Sequence, residues 1–153
     1  MTLKEFLEVK EEYVERAISL ADMWPSDPVE LKPELKYMEN LDEIVERTRR
    51  LREKGLLDDD TVWRASVFFG TLLGEMVINE HGYHWVLDEN EVPMVEDDNN
   101  IKMSPITKIQ KILLSSDEDG EGSPTSFYEG FRALQKYAAM SEEEKAKITT
   151  YIK

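Results

Sequence analysis

A chain of 153 residues that is 41% hydrophobic and 9% aromatic has the bulk for one domain with a real core, which excludes a disordered polymer. Its 33 acidic and 19 basic residues give a net charge of −14. That charge repels nucleic acid phosphates and anionic membranes and favours basic proteins, cations or simple solubility.

There is no cysteine, so disulfides, thiolate metal sites and a cysteine nucleophile are excluded, and a reducing compartment fits. The opening "MTLKEFLEVKEEYVERA" is charged at once and lacks the apolar segment of a signal peptide. No run is expected to approach the roughly 18 apolar residues of a membrane span. A cytoplasmic location without membrane partners is the expectation.

The first predicted element is a helix, with Leu3, Phe6, Leu7, Tyr13, Val14, Ala17, Ile18 and Ala21 at three- and four-residue steps. Thr2 followed by Glu5 is a capping-box signal. "WPSDPVELKP" breaks the pattern with three prolines, and Asp27 before Pro28 suggests one short helical turn. A second helix is predicted from Leu41 to Lys54, capped by Asn40 with Glu43 three residues on, and stopped by Gly55. Its buried stripe is Leu41, Ile44, Val45, Thr48 and Leu51. The basic cluster "RTRRLREK" invites a nucleic acid reading. Glu43–Arg47, Glu46–Arg50 and Arg49–Glu53 all fall at i,i+4, however, so a solvated, internally paired face explains it better.

"LLDDDTVWRASVFFGTLLGEMVINEHG" predicts the central helix, with aspartates at its start and apolar side chains nearly all round. "HGYHWVLD" and "VPMVED" then read as a β-hairpin from near Tyr83 to near Val95. Pro93 places its strand at an edge or a bulge, and "NNIKM" offers a third short strand. Ser104–Pro105, Ser123–Pro124 and Ser141 with Glu144 each open a further helix. The expected fold class is α+β: a predominantly helical single domain, residues 1–153, with a small antiparallel hairpin or three-stranded sheet after the central helix.

The chemistry-bearing stretch is "GTLLGEMVINEHGYHW", Gly70 to Trp85, which holds both histidines. Glu75, His81 and His84 are metal-ligand types. The histidines stand three apart across Gly82, unlike the four-apart pair of a helical zinc site. A helix terminus explains them better, with His81 on the last carbonyls and Gly82 at positive φ. Gly70 and Gly74 forfeit helix propensity, and close approach of another backbone is the expected compensation. Glu75, if buried, needs a partner, and the candidates are Arg64, Arg132, His84, Tyr83 and the Trp85 indole. "DEDGEG", Asp117 to Gly122, half resembles a calcium loop, but the twelfth position is Tyr128, not an acid. No cofactor and no metal are expected.

The series Gly70, Gly74, Glu75, Gly82, Trp85, Pro93, Ser104, Pro105, Ile106, Lys108 and Ile109, extended by "SFYEGFRAL", resembles small bacterial domains, some of them similar to immunity proteins that neutralise toxins. The likeness spans about Val62 to Leu134. It implies a mixed α/β helical domain of bacterial or phage type and brings no catalytic residues.

The leading expectation is a non-enzymatic acidic binding protein, of immunity type, for a basic toxin or enzyme. Its binding residues would be Glu75, Tyr83, His84 and Trp85, with the acidic loop Glu96, Asp97 and Asp98. The alternative is a small-ligand or metal-dependent enzyme using Glu75, His81, His84 and Trp85. A homodimer buried through its aromatic surface is a third reading.

Overall fold

The computed structural model describes residues 1–153 and is α+β, mostly helical. Helix α1 (Leu3–Asp22) starts at a complete capping box. Glu5 N–H donates to Thr2 Oγ1 at 3.1 Å, and Thr2 N–H donates to Glu5 Oε1 at 3.2 Å. Its buried stripe runs through Phe6, Val14, Ala17 and Ala21.

The prolines after α1 do not yield a turn at Pro28. Asp27 takes a left-handed φ of 63°, and Arg47 holds that corner through the Asp27 carbonyl at 2.7 Å. The short helical turn comes later, as a 3-10 turn at Leu35–Tyr37 that runs straight into α2 (Met38–Glu53). Asn40 is therefore inside α2 and does not cap it. Its side chain donates instead to the Glu30 carbonyl at 2.8 Å. The three i,i+4 ion pairs form, but Arg49 departs from the solvated face expected of it. It is 5% exposed, donates to the Ser115 carbonyl and pairs with Glu46, Glu53 and Asp117. α2 thereby locks the loop that carries Ser115 and Asp117.

α3 (Asp59–His81) is capped by Asp58, whose side chain accepts from Thr61 N–H at 2.8 Å. Its nine consecutive residues Phe69 to Val77 are all buried, because α1, α2 and α4 (Pro105–Leu114) surround it. By length and composition it could cross a membrane: 23 residues, with hydropathy 1.2 in its most apolar window. That corrects the expectation that no run comes near. The window is 61% buried within this fold, which accounts for its apolarity as that of a core helix. Gly82 ends α3 at φ 74°.

Strands β1 (His84–Leu87), β2 (Pro93–Glu96) and β3 (Lys102–Met103) form an antiparallel sheet in that order. β2 is central, not at an edge. Pro93 is tolerated because it opens the strand, beyond the reach of the two-residue β3, which pairs only with Val95 and Glu96. The register stacks Trp85, Val95 and Met103 on the inner face and His84, Glu96 and Lys102 on the outer. α5 (Pro124–Ala138) and α6 (Glu142–Ile152) complete the chain, both opened by serine capping boxes.

Candidate functional site

The stretch Gly70 to Trp85 proves to be a packing centre. A Cβ on Gly70 would lie 2.5 Å from Ile106 Cα and 2.8 Å from its backbone N, so here the backbone of α4 is the close neighbour. Gly74 differs from expectation. What it admits is a side chain, the Trp85 indole, whose Cζ2 would lie 2.5 Å from a Cβ there. Phe6 closes the other side of the indole, edge to face at 4.9 Å.

Trp85 is thus 5% exposed, wedged between α1 and α3. Its Nε1–H donates to Glu75 Oε2 at 3.1 Å. The second Glu75 oxygen takes the ammonium of Lys10. Of the five partners proposed for Glu75, one is right and Lys10 was missed. The signal for it was present: Phe6, Lys10 and Val14 step by four, so Lys10 occupies the buried stripe of α1.

The two histidines diverge. His81 Nε2 lies 2.6 Å from the Tyr128 hydroxyl, and its ring stacks on Tyr83 at 5.1 Å. It meets α5, not the last carbonyls of α3. Burial, and then the positive charge of Arg132, lower its pKa. Burial raises that of Tyr128. His84 points outward and lies 3.0 Å from Glu96 Oε1, its cross-strand partner. Glu75, His81, His84 and Trp85 therefore occupy three separate environments, and no three His, Asp or Glu side chains converge as ligands.

Tyr83 is half-buried and its hydroxyl accepts from Arg132 at 3.2 Å and Gln135 at 3.0 Å. Gln135 also donates to Asp97 Oδ2 at 2.8 Å. Asp97 corrects the acidic-loop expectation most clearly. It is 4% exposed, and its other oxygen accepts from Asn99 N–H at 2.8 Å and Ile101 N–H at 2.9 Å. Burial alone would raise its pKa, but the bonds from Gln135, Ile101 and Asn99 outweigh it, and the net shift is downward. Asp97 fixes the β2–β3 turn to α5. Glu96 sits between His84 and Lys102 with 15% of its side chain exposed. Of the three loop acids, only Asp98 is exposed.

Three of the four "DEDGEG" acids are likewise engaged. Asp117 pairs with Arg49, Asp119 accepts from Ser116 N–H at 2.8 Å, and Glu121 pairs with Lys108 at 2.9 Å. No buried side-chain nitrogen or oxygen in the molecule lacks a hydrogen-bond partner. Among the candidates, Glu75 bonds Trp85 and His84 meets Glu96, while His81, Tyr83 and Asp97 bond side chains of α5 and Asp98 stays exposed.

What fold and site define together is a class: a helical α+β domain whose interior polar pairs hold the sheet against α1, α3 and α5. Comparison with family models, curated proteins and solved structures returns no match to the chain.

Proposed function

We propose that the protein is a non-enzymatic binding protein whose acidic exterior docks on a basic protein, as an immunity-type inhibitor does on a toxin's substrate cleft. The supporting observation is the outer face of α1. Glu8, Glu11, Glu12 and Glu15 are all exposed there, at spacings that set like charges side by side. Arg16 pairs with Glu12 alone, at 3.4 Å, and Lys10 is withdrawn to Glu75. Each like-charged pair at three or four residues costs a helix about 0.2–0.5 kcal/mol. A basic surface relieves that repulsion and is steered to it from a distance. The proposal therefore takes α1 as the docking face in preference to the loop of Glu96, Asp97 and Asp98, where the first two carboxylates are already engaged.

The experiment is affinity capture from the source cells, followed by association rates for each captured protein. Wild type and the Glu8→Gln/Glu11→Gln/Glu12→Gln/Glu15→Gln variant are compared at low and high salt. The expected result is an on-rate that falls with salt and falls again in the variant, with the melting curve unchanged or raised. A captured partner whose on-rate responds to neither change contradicts the reading.

A further inference from the structure

Helix α5 carries a glycine that its own chain does not explain. Gly130 lies mid-helix and exposed, and a Cβ built on it would meet nothing within 4 Å. A helical glycine forfeits propensity. Gly70 and Gly74 show what offsets that loss in this protein, a neighbouring segment pressed on the bare backbone. Gly130 lines a groove of about 450 Å³ with apolar walls from Met103, Phe127, Phe131 and Leu134. Leu134 is 50% exposed. The charged groups on the groove are Lys108, which is paired with Glu121 at 2.9 Å, and Lys102, which lies 3.7 Å from Glu96 with 48% of its side chain exposed and so stays open to a further carboxylate. The charge of Lys102 is wrong for the basic partner of α1 and right for a helix whose first turn is acidic.

The same fold presents one. α6 buries no residue and none of its side chains lines the groove. It touches α5 through Lys145, whose ammonium lies 5.6 Å from the centre of the Tyr137 ring. Ile148, Tyr151 and Ile152, at i, i+3 and i+4, form an apolar stripe that is 36%, 92% and 78% exposed. Its first turn is Glu142, Glu143 and Glu144, with the first two side chains 96% and 83% exposed. An 11-residue helix is marginal in water without a surface to pack on.

We propose that α6 of one copy lies in the α5 groove of a second copy, and reciprocally, so that the chain forms a two-fold dimer by helix exchange. The stripe of Ile148 and Tyr151 packs on Phe127, Phe131 and Leu134, and Gly130 lets the two helices approach closely. The acidic first turn faces Lys102. Two-fold symmetry makes both contacts at once and doubles the area buried.

The test is sedimentation velocity on the full chain over a wide concentration range, with two variants. Gly130→Gln fills the groove at a position where the monomer has open space. Ile148→Asp/Tyr151→Asp spoils the stripe on an element that supports no core. A reversible monomer–dimer equilibrium is expected for wild type, shifted to monomer in both variants; at a dilution where every chain is monomeric, the stripe variant should melt as wild type and Gly130→Gln no lower. Carbodiimide cross-linking of mixed light and heavy-isotope chains should join Lys102 of one isotope to Glu142–Glu144 of the other. A monomer at every concentration, a dimer that neither variant weakens, or cross-links confined to single chains overturns the proposal.

Discussion

Replacing Gly74 by alanine adds one methyl group to the centre of α3, and its effect is set by Trp85. The helix itself gains about 1 kcal/mol from losing a glycine. Against that, the new Cβ would stand 2.5 Å from Cζ2 of the indole, well inside contact distance. The ring cannot swing away freely, because Phe6 meets it at 4.9 Å and Glu75 holds its Nε1–H at 3.1 Å. Overpacking of a tight core costs about 1–3 kcal/mol. Displacing the indole also strips a hydrogen bond to a charged acceptor, about 1.5–3 kcal/mol. The balance is a destabilisation of roughly 1.5–5 kcal/mol, obtained by setting the propensity gain against those two losses. Gly130→Ala is the control. It removes a helical glycine with nothing within 4 Å, so its expected effect is a gain of up to about 1 kcal/mol. Urea titration followed by far-UV circular dichroism measures both, at a dilution where the chain is monomeric. Opposite signs for the two substitutions are expected. A Gly74→Ala protein as stable as wild type refutes the packing argument.

Other perturbations follow from the same contacts. Lys10→Met leaves Glu75 with one partner and should cost about 2–4 kcal/mol, somewhat below a fully buried pair because the ammonium retains some exposure; a double-mutant cycle with Glu75→Gln should show strong coupling, and additive losses would mean the pair does not matter. Asp97→Ala releases the β2–β3 turn and Gln135 and should cost about 1–3 kcal/mol; amide exchange should rise at Asn99 and Ile101, and unchanged exchange there would count against its role. His81 has a pKa held below its ordinary 6.5, so the unfolded chain takes up its proton first. Stability from this group is complete above pH 6.5 and declines as pH falls through the folded value; His81→Gln should flatten that decline, and an unaltered pH profile would exclude it.

Much of the fold was legible because local chemistry marks it. The caps at Thr2, Asp58, Ser123 and Ser141 each bond as their residue types require, and Gly82 ends α3 in the left-handed region. The start of α2 was misplaced because the 3-10 turn at Leu35–Tyr37 delivers the chain directly into the helix, without a side-chain cap. The site was less legible because its partners are far apart in sequence. Lys10 and Glu75 are separated by 65 residues, and Asp97 and Gln135 by 38. Two signals were nonetheless local. A lysine four residues from both Phe6 and Val14 must face inward. An aspartate two residues before an asparagine at a tight turn commonly folds back on backbone N–H groups, as Asp97 does. The "EDDNN" run reads as solvent-facing charge only when each acid is taken alone.

If Gly70–Trp85 is the packed centre of the molecule rather than an open site, the Trp85 indole N–H must be closed to water. The chain has three indoles, and Trp63 is 39% exposed while Trp85 is 5% exposed. Proton NMR resolves their N–H signals, and Trp85→Phe identifies the one in question. Hydrogen exchange of that signal should be as slow as the slowest backbone amides of α3, reporting opening only through global unfolding. An indole proton that exchanges as fast as that of Trp63 would mean Glu75 and Trp85 face solvent, and the account of this stretch would be wrong.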